Sequence, residues 1–130
     1  MPSRYYSAIA QDTTLTSPMT AGDSTMTVGA TVGFPTQYPF VMAVDYNAAS
    51  EELVLVNGVS GGTTLNITRA YNGTTATSHK TGAIVRHVIV AQDMTDMQAH
   101  FDATANVHGV TGPLAAASDI TSIAFLTMGA

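Results

Sequence analysis

The chain contains no cysteine and no tryptophan. Without thiols, disulfides, thiolate zinc sites and cysteine nucleophiles are excluded together. Charge is scarce as well. Charged residues make up 10% of the chain, against about 25% in an average globular domain. The four cations, Arg4, Arg69, Lys80 and Arg86, form no run. Nucleic acid is therefore not an expected partner, because binding it takes clustered cations that displace phosphate counterions. No stretch approaches the roughly 18 apolar residues of a spanning helix, so no membrane is expected either. The opening Met1-Pro2-Ser3-Arg4-Tyr5-Tyr6 lacks the apolar run of a secretory signal. The sequons at Asn66 and Asn72 consequently carry no glycosylation argument.

Thr, Ala, Gly and Ser fill the positions where Lys and Glu would normally sit. A surface so poor in charge either relies on hydroxyls for solvation or is partly covered by neighbouring subunits. At 130 residues and 45% hydrophobic content, one domain with one core is expected.

The chain divides into an N-terminal arm (1–11), a β-domain (12–91), a helix (92–106) and an extended tail (107–130). In the arm, Tyr5, Tyr6 and Ile9 are the anchors, docking on a neighbour or fraying. Strands are expected at Asp12–Thr16, Ser24–Val28, Pro39–Tyr46, Glu51–Val56, Thr63–Arg69 and Ala83–Ala91, from period-two alternation or β-branched content. The last is the most apolar and reads as buried on both faces. Asn57-Gly58 is the strongest tight-turn signal, and Gly61-Gly62 and Asn72-Gly73 follow it. Six or seven short strands at about ten-residue spacing predict a mainly β fold, a small antiparallel barrel or sandwich with one C-terminal helix.

At Gln92 the period changes to three and four. Met94, Met97, Phe101 and Thr104 or Ala105 share one helical face, with Asp93 as N-terminal cap. That stripe either covers the barrel of its own chain or meets two copies of itself around a threefold axis. The tail adds a strand or reaches a neighbour.

Catalytic motifs are missing. Histidines 79, 87, 100 and 108 show neither the four-residue helical spacing of a zinc motif nor a His-x-His pair. No metal or cofactor is expected, and the one form considered is a ring of His108 on a symmetry axis. Gly58-Val59-Ser60-Gly61-Gly62 looks superficially like a nucleophile elbow, but it lies between two strands. Glu51 and Glu52 are adjacent and so point to opposite faces, which spoils them as a glycosidase pair. Arg69, Tyr71, Asn72 and Gly73 read as strand-end and turn chemistry, and Phe34 and Pro35 as a loop tucked onto the core. Tyr5, Tyr6, Tyr38, Tyr46 and Tyr71 offer stacking platforms for a glycan, without tryptophan to strengthen the case.

An ordered series of short motifs carries a resemblance. It runs Thr13–Thr16, Thr25-Met26-Thr27-Val28, Gly33-Phe34-Pro35, Glu51–Val56, Asn57-Gly58-Val59, Thr68–Ala76, His79 and Gly82-Ala83. This series resembles a small β-domain in virion proteins of tailed bacteriophages, particularly minor tail and fibre-associated proteins. The helix with Asn106-Val107-His108-Gly109-Val110-Thr111-Gly112 resembles the trimer-forming junction of phage fibres, where a Val-His-Gly turn often precedes a shaft. The resemblance covers about residues 12 to 112. It implies a non-enzymatic homotrimeric virion component, with Met94, Met97, Phe101, Ala105 and His108 as interface candidates and phage capsid or tail proteins as partners. No repeat-bearing shaft follows Gly112. That favours a capsid decoration protein, or else a minor tail protein or adaptor, over a host-recognition fibre.

Overall fold

A computed structural model describes residues 4–104. Ala105, His108 and the 107–130 tail lie outside the described residues. The chain divides into two units, Met1–Ala91 and Gln92–Ala130.

The first unit is a six-stranded antiparallel sheet. Its strands are β1 (Thr13–Thr14), β2 (Thr25–Thr27), β3 (Phe40–Val44), β4 (Glu52–Ser60), β5 (Thr64–Thr68) and β6 (Ile84–His87). Their order across the sheet is β1-β6-β3-β4-β5-β2. The sheet curls until its edges meet at the single bridge Leu15↔Val28. Thr16 N donates to Thr27 O and Gly29 N to Thr14 O, each at 3.0 Å. The mainly β fold with one helix is therefore the one expected from the strand spacing.

Inside the curl, alternation works as period two requires. Phe40, Met42 and Val44 of β3 meet Val54 and Val56 of β4, with Leu15, Met26, Val28, Leu65 and Val85 around them. Every residue of β3 is buried, as suits its central place between β4 and β6.

The two ends of the curl are closed by different chemistry. One end is aromatic. Phe34 and His87 both meet Phe40 edge-on, at 6.1 and 5.7 Å, and Tyr38 stacks on it at 5.8 Å. The N-terminal arm is bonded at this end. Tyr5 N donates to Pro39 O at 2.9 Å, and Gln11 N to Val32 O at 3.0 Å. Ser7 N donates to His87 Nε2, and the Ser7 hydroxyl to Gly33 O. The arm thus engages its own chain. Gly33 makes this approach feasible, since a methyl group there would lie 2.1 Å from Ile9 O.

Three local expectations are corrected. Asn57-Gly58 does not turn the chain: β4 runs through it, with a register shift between Val56 and Gly58. That is a bulge, which draws on the same residue types as a tight turn. The reversal comes at Gly61 (φ 60°) and Gly62 (φ 84°). The last strand is shorter than its apolar run, and Ile84 and Ile89 are exposed. The helix α1 spans Ala91–Asp102, so Asp93 lies within its first turn and is not the cap. Within α1, Gln92 donates to Asp96 and Gln98 to Asp102, four residues on.

Candidate functional site

The second end of the curl is ionic. Alternation on β4 sends Glu52, Val54 and Val56 inward, so the first inward side chain is a carboxylate at the rim of an apolar core. It is fully buried. A buried charge survives only when its oxygens are filled with donors.

Those donors come from the segment after β5. Arg69 Nε donates to Glu52 Oε1 and Nη2 to Oε2, both at 2.8 Å. This is the two-pronged geometry in which Arg–carboxylate pairs are strongest. Ala70 N adds a bond to Oε1 at 2.9 Å, and Thr77 N one to Oε2 at 3.2 Å. His79 Nε2 lies 2.8 Å from Oε2. Burial pushes the Glu52 carboxyl up, but the bonds from Arg69, His79, Ala70 and Thr77 outweigh it and hold the pKa at about 2.

Arg69 has further uses. Its Nη1 reaches the carbonyls of Thr20 and Asp23, and Nη2 that of Thr77 at 2.6 Å. One guanidinium therefore joins the β1–β2 loop and the β5–β6 segment to β4 at this rim. His79 is tied by its backbone as well, exchanging bonds of 2.8 and 2.9 Å with Met19.

The ring of His79 sits between two acids. Nδ1 lies 2.7 Å from Asp45 Oδ2, which also accepts from the Ser50 hydroxyl at 3.0 Å. A neutral imidazole donates to only one of two flanking carboxylates. Thr77 Oγ1, 3.4 Å from Nε2, completes the outline of a nucleophile–base–acid triad. Glu52 defeats it. Its oxygen occupies the ring nitrogen the nucleophile would need, and the imidazole is sealed from solvent. The arrangement closes the barrel end and holds loops; it offers no free base.

The loops pay a local cost in backbone strain. Asp45, Asn47, Ala70 and Asn72 all have φ between 52° and 62°. Asn tolerates that region, whereas Ala70 carries the usual penalty. Ala70 is held there with its amide on Glu52.

The residues singled out from sequence are dispersed. Arg69 belongs to the ionic end. Tyr71 is partly exposed beside it in sequence, and its hydroxyl accepts from Arg4 Nη1 at 3.3 Å. Asn72 and Gly73 supply the positive φ expected of them, at 52° and 87°. Phe34 is in the aromatic end, and Pro35 is partly buried next to it. Met94, Met97 and Phe101 lie on α1. Sequence reasoning missed the joining of Glu52, His79 and Asp45. The available signal was an acid at an inward position of an otherwise apolar alternation. Among the described residues, no group of three His, Cys, Asp or Glu side chains is placed to hold a metal ion.

Comparison with protein-family models and with curated proteins found no match to this chain.

Proposed function

We propose that the chain is a non-enzymatic structural subunit of a tailed-bacteriophage particle. It self-associates as a homotrimer through α1 and decorates the capsid surface or joins the tail. One observation carries the reading. Met94, Met97 and Phe101, three and four residues apart, are 58%, 51% and 71% exposed. Large apolar side chains repeated at that spacing are the seam pattern of associating helices. The ordered motifs from Thr13 to Ala83, resembling phage virion β-domains, set the biological context. The ionic cluster supports a scaffold role, since its hydrogen-bonding capacity is spent internally. Among the described residues, no buried side-chain nitrogen or oxygen lacks a partner.

Sedimentation equilibrium at micromolar concentration tests the association, with a trimer expected for the native chain. Met97→Glu and Phe101→Glu each place a charge on the seam and are expected to yield monomer with an unchanged β-sheet spectrum. Antibody labelling of intact particles then locates the subunit on head or tail. A native monomer that binds neither capsids nor tails overturns the reading.

A further inference from the structure

We propose that the cleft on the outer face of the sheet, between Tyr46, Glu51 and Arg86, is a binding site for a neutral saccharide unit. The register creates the depression. Ala43, at the centre of that face, is paired with Leu53 on β4 and Arg86 on β6. A small side chain between two larger ones leaves a hollow above it. The cleft measures about 440 Å³, within the roughly 300–1,000 Å³ range of small-molecule sites.

Two charged groups in the cleft are each anchored by one part and free at another. Arg86 Nε contacts both Asp12 oxygens, at 2.8 and 3.0 Å, and Nη2 contacts Oδ2. The guanidinium carbon also lies 4.3 Å from the centre of the Tyr46 ring. Nη1 takes no part in the Asp12 contact, and the five N–H groups of the guanidinium outnumber the bonds it makes to Asp12 and to the Tyr46 side chain. Glu51 Oε2 accepts from Asn47 N at 2.7 Å, and among the described residues no bond to Oε1 is formed. The site thus presents one fixed donor and one fixed acceptor of opposite charge. Fixing them beforehand lowers the ordering cost of binding.

This pair selects the ligand class. An anion meets Glu51 and a cation meets Arg86, so each gains one contact and suffers one repulsion. A purely apolar ligand strips water from both charges and returns nothing. Sugar hydroxyls donate and accept alike, so neighbouring hydroxyls satisfy the guanidinium and the carboxylate together. The C–H face of the ring lies against Leu53 and Val88, which also line the cleft. An added peptide strand is disfavoured, because β3 beneath the cleft is already bonded on both sides. This inference stands independently of the assembly reading: glycoside binding by a chain that never associates overturns only the latter.

The test is an NMR titration of the isotope-labelled full chain with methyl glycosides of glucose, galactose, mannose and N-acetylglucosamine. Sodium phosphate and triglycine serve as controls. Saturable shifts in the millimolar range are expected at the amides of Tyr46, Glu51, Leu53 and Arg86 with at least one glycoside. Glu51→Gln, at an exposed position before β4, and Arg86→Met, at a partly exposed position on β6, are each expected to weaken binding by about tenfold, the loss of one charge-assisted hydrogen bond. Both are expected to keep the native amide spectrum elsewhere. Absence of saturable shifts with all four glycosides overturns the proposal. So do shifts confined to other parts of the chain, shifts with a control alone, or undiminished binding in both variants.

Discussion

Arg69 and Glu52 face each other across a largely buried, two-pronged contact, with both prongs at 2.8 Å. The side chains are 10% and 0% exposed, so solvent screens the pair very little. Removing either partner strands the other charge. Arg69→Met is expected to cost about 3–5 kcal/mol, the range for breaking a buried pair. Chemical denaturation checks the value. The double variant with Glu52→Leu is expected to be less destabilised than the two single losses summed, because neither charge is left alone.

The same carboxylate sets an acid limit. Its folded pKa of about 2 lies below the ordinary 4.5. A depressed folded pKa contributes stability that is fully present above the unfolded value. That stability is lost as pH falls from about 4.5 through about 2, and amounts to about 3 kcal/mol at most. Urea midpoints measured across this window are expected to fall steeply for the native chain. In Glu52→Gln the fall is expected to be shallower, from a lower starting stability.

Strain at Ala70 gives a gain-of-stability test. The residue has φ 53°, a region that costs an L side chain roughly 1 kcal/mol and glycine little. Ala70→Gly keeps the amide that bonds Glu52 and is expected to raise the melting temperature. Ala70→Val is expected to lower it. Equal melting points for the two variants contradict the strain account.

These relationships were unevenly legible in the sequence. Strands at 40–44 and 64–68 were legible, the second from the alternation of Leu65 and Ile67 with polar neighbours. Phe34 was recognisable as a core residue from its place beside Gly33 and Pro35. Asn57-Gly58 was misread because bulges and tight turns demand the same residue types. Glu52 was read correctly as facing away from Glu51, but alternation gives the face of a residue and not its companions. Arg69 and His79 lie 17 and 27 positions from Glu52, and only the curl of the sheet brings them to one rim. Apolar content suggested burial for Ile84 and Ile89, yet both are exposed, since composition does not reveal which face is covered.

Gly33 controls the arm. Its φ of 74° and the 2.1 Å approach to Ile9 O leave no room for a side chain. Gly33→Ala is expected to release the arm at a cost of about 1–3 kcal/mol. Faster amide exchange at Ser7 and Gln11, with β3 and β4 unaffected, is the signature to look for. Retained protection of the arm in the variant contradicts the assigned role.

The curl also has a seam. Among the described residues, the edges at β1 and β2 are paired through the one bridge Leu15↔Val28, whereas β3 and β4 are paired along five positions. Opening is expected to start at the shorter line, with the amides of Thr16 and Gly29 exchanging before those of β3. Once parted, the wall becomes a strip with two raw strand edges, the form most prone to recruit another chain. The ionic cluster bears on that hazard through Arg69, which grips the carbonyls of Thr20 and Asp23 on the loop joining the two seam strands. A clasp at the rim thereby guards the molecule against aggregation, and acid that protonates Glu52 loosens it.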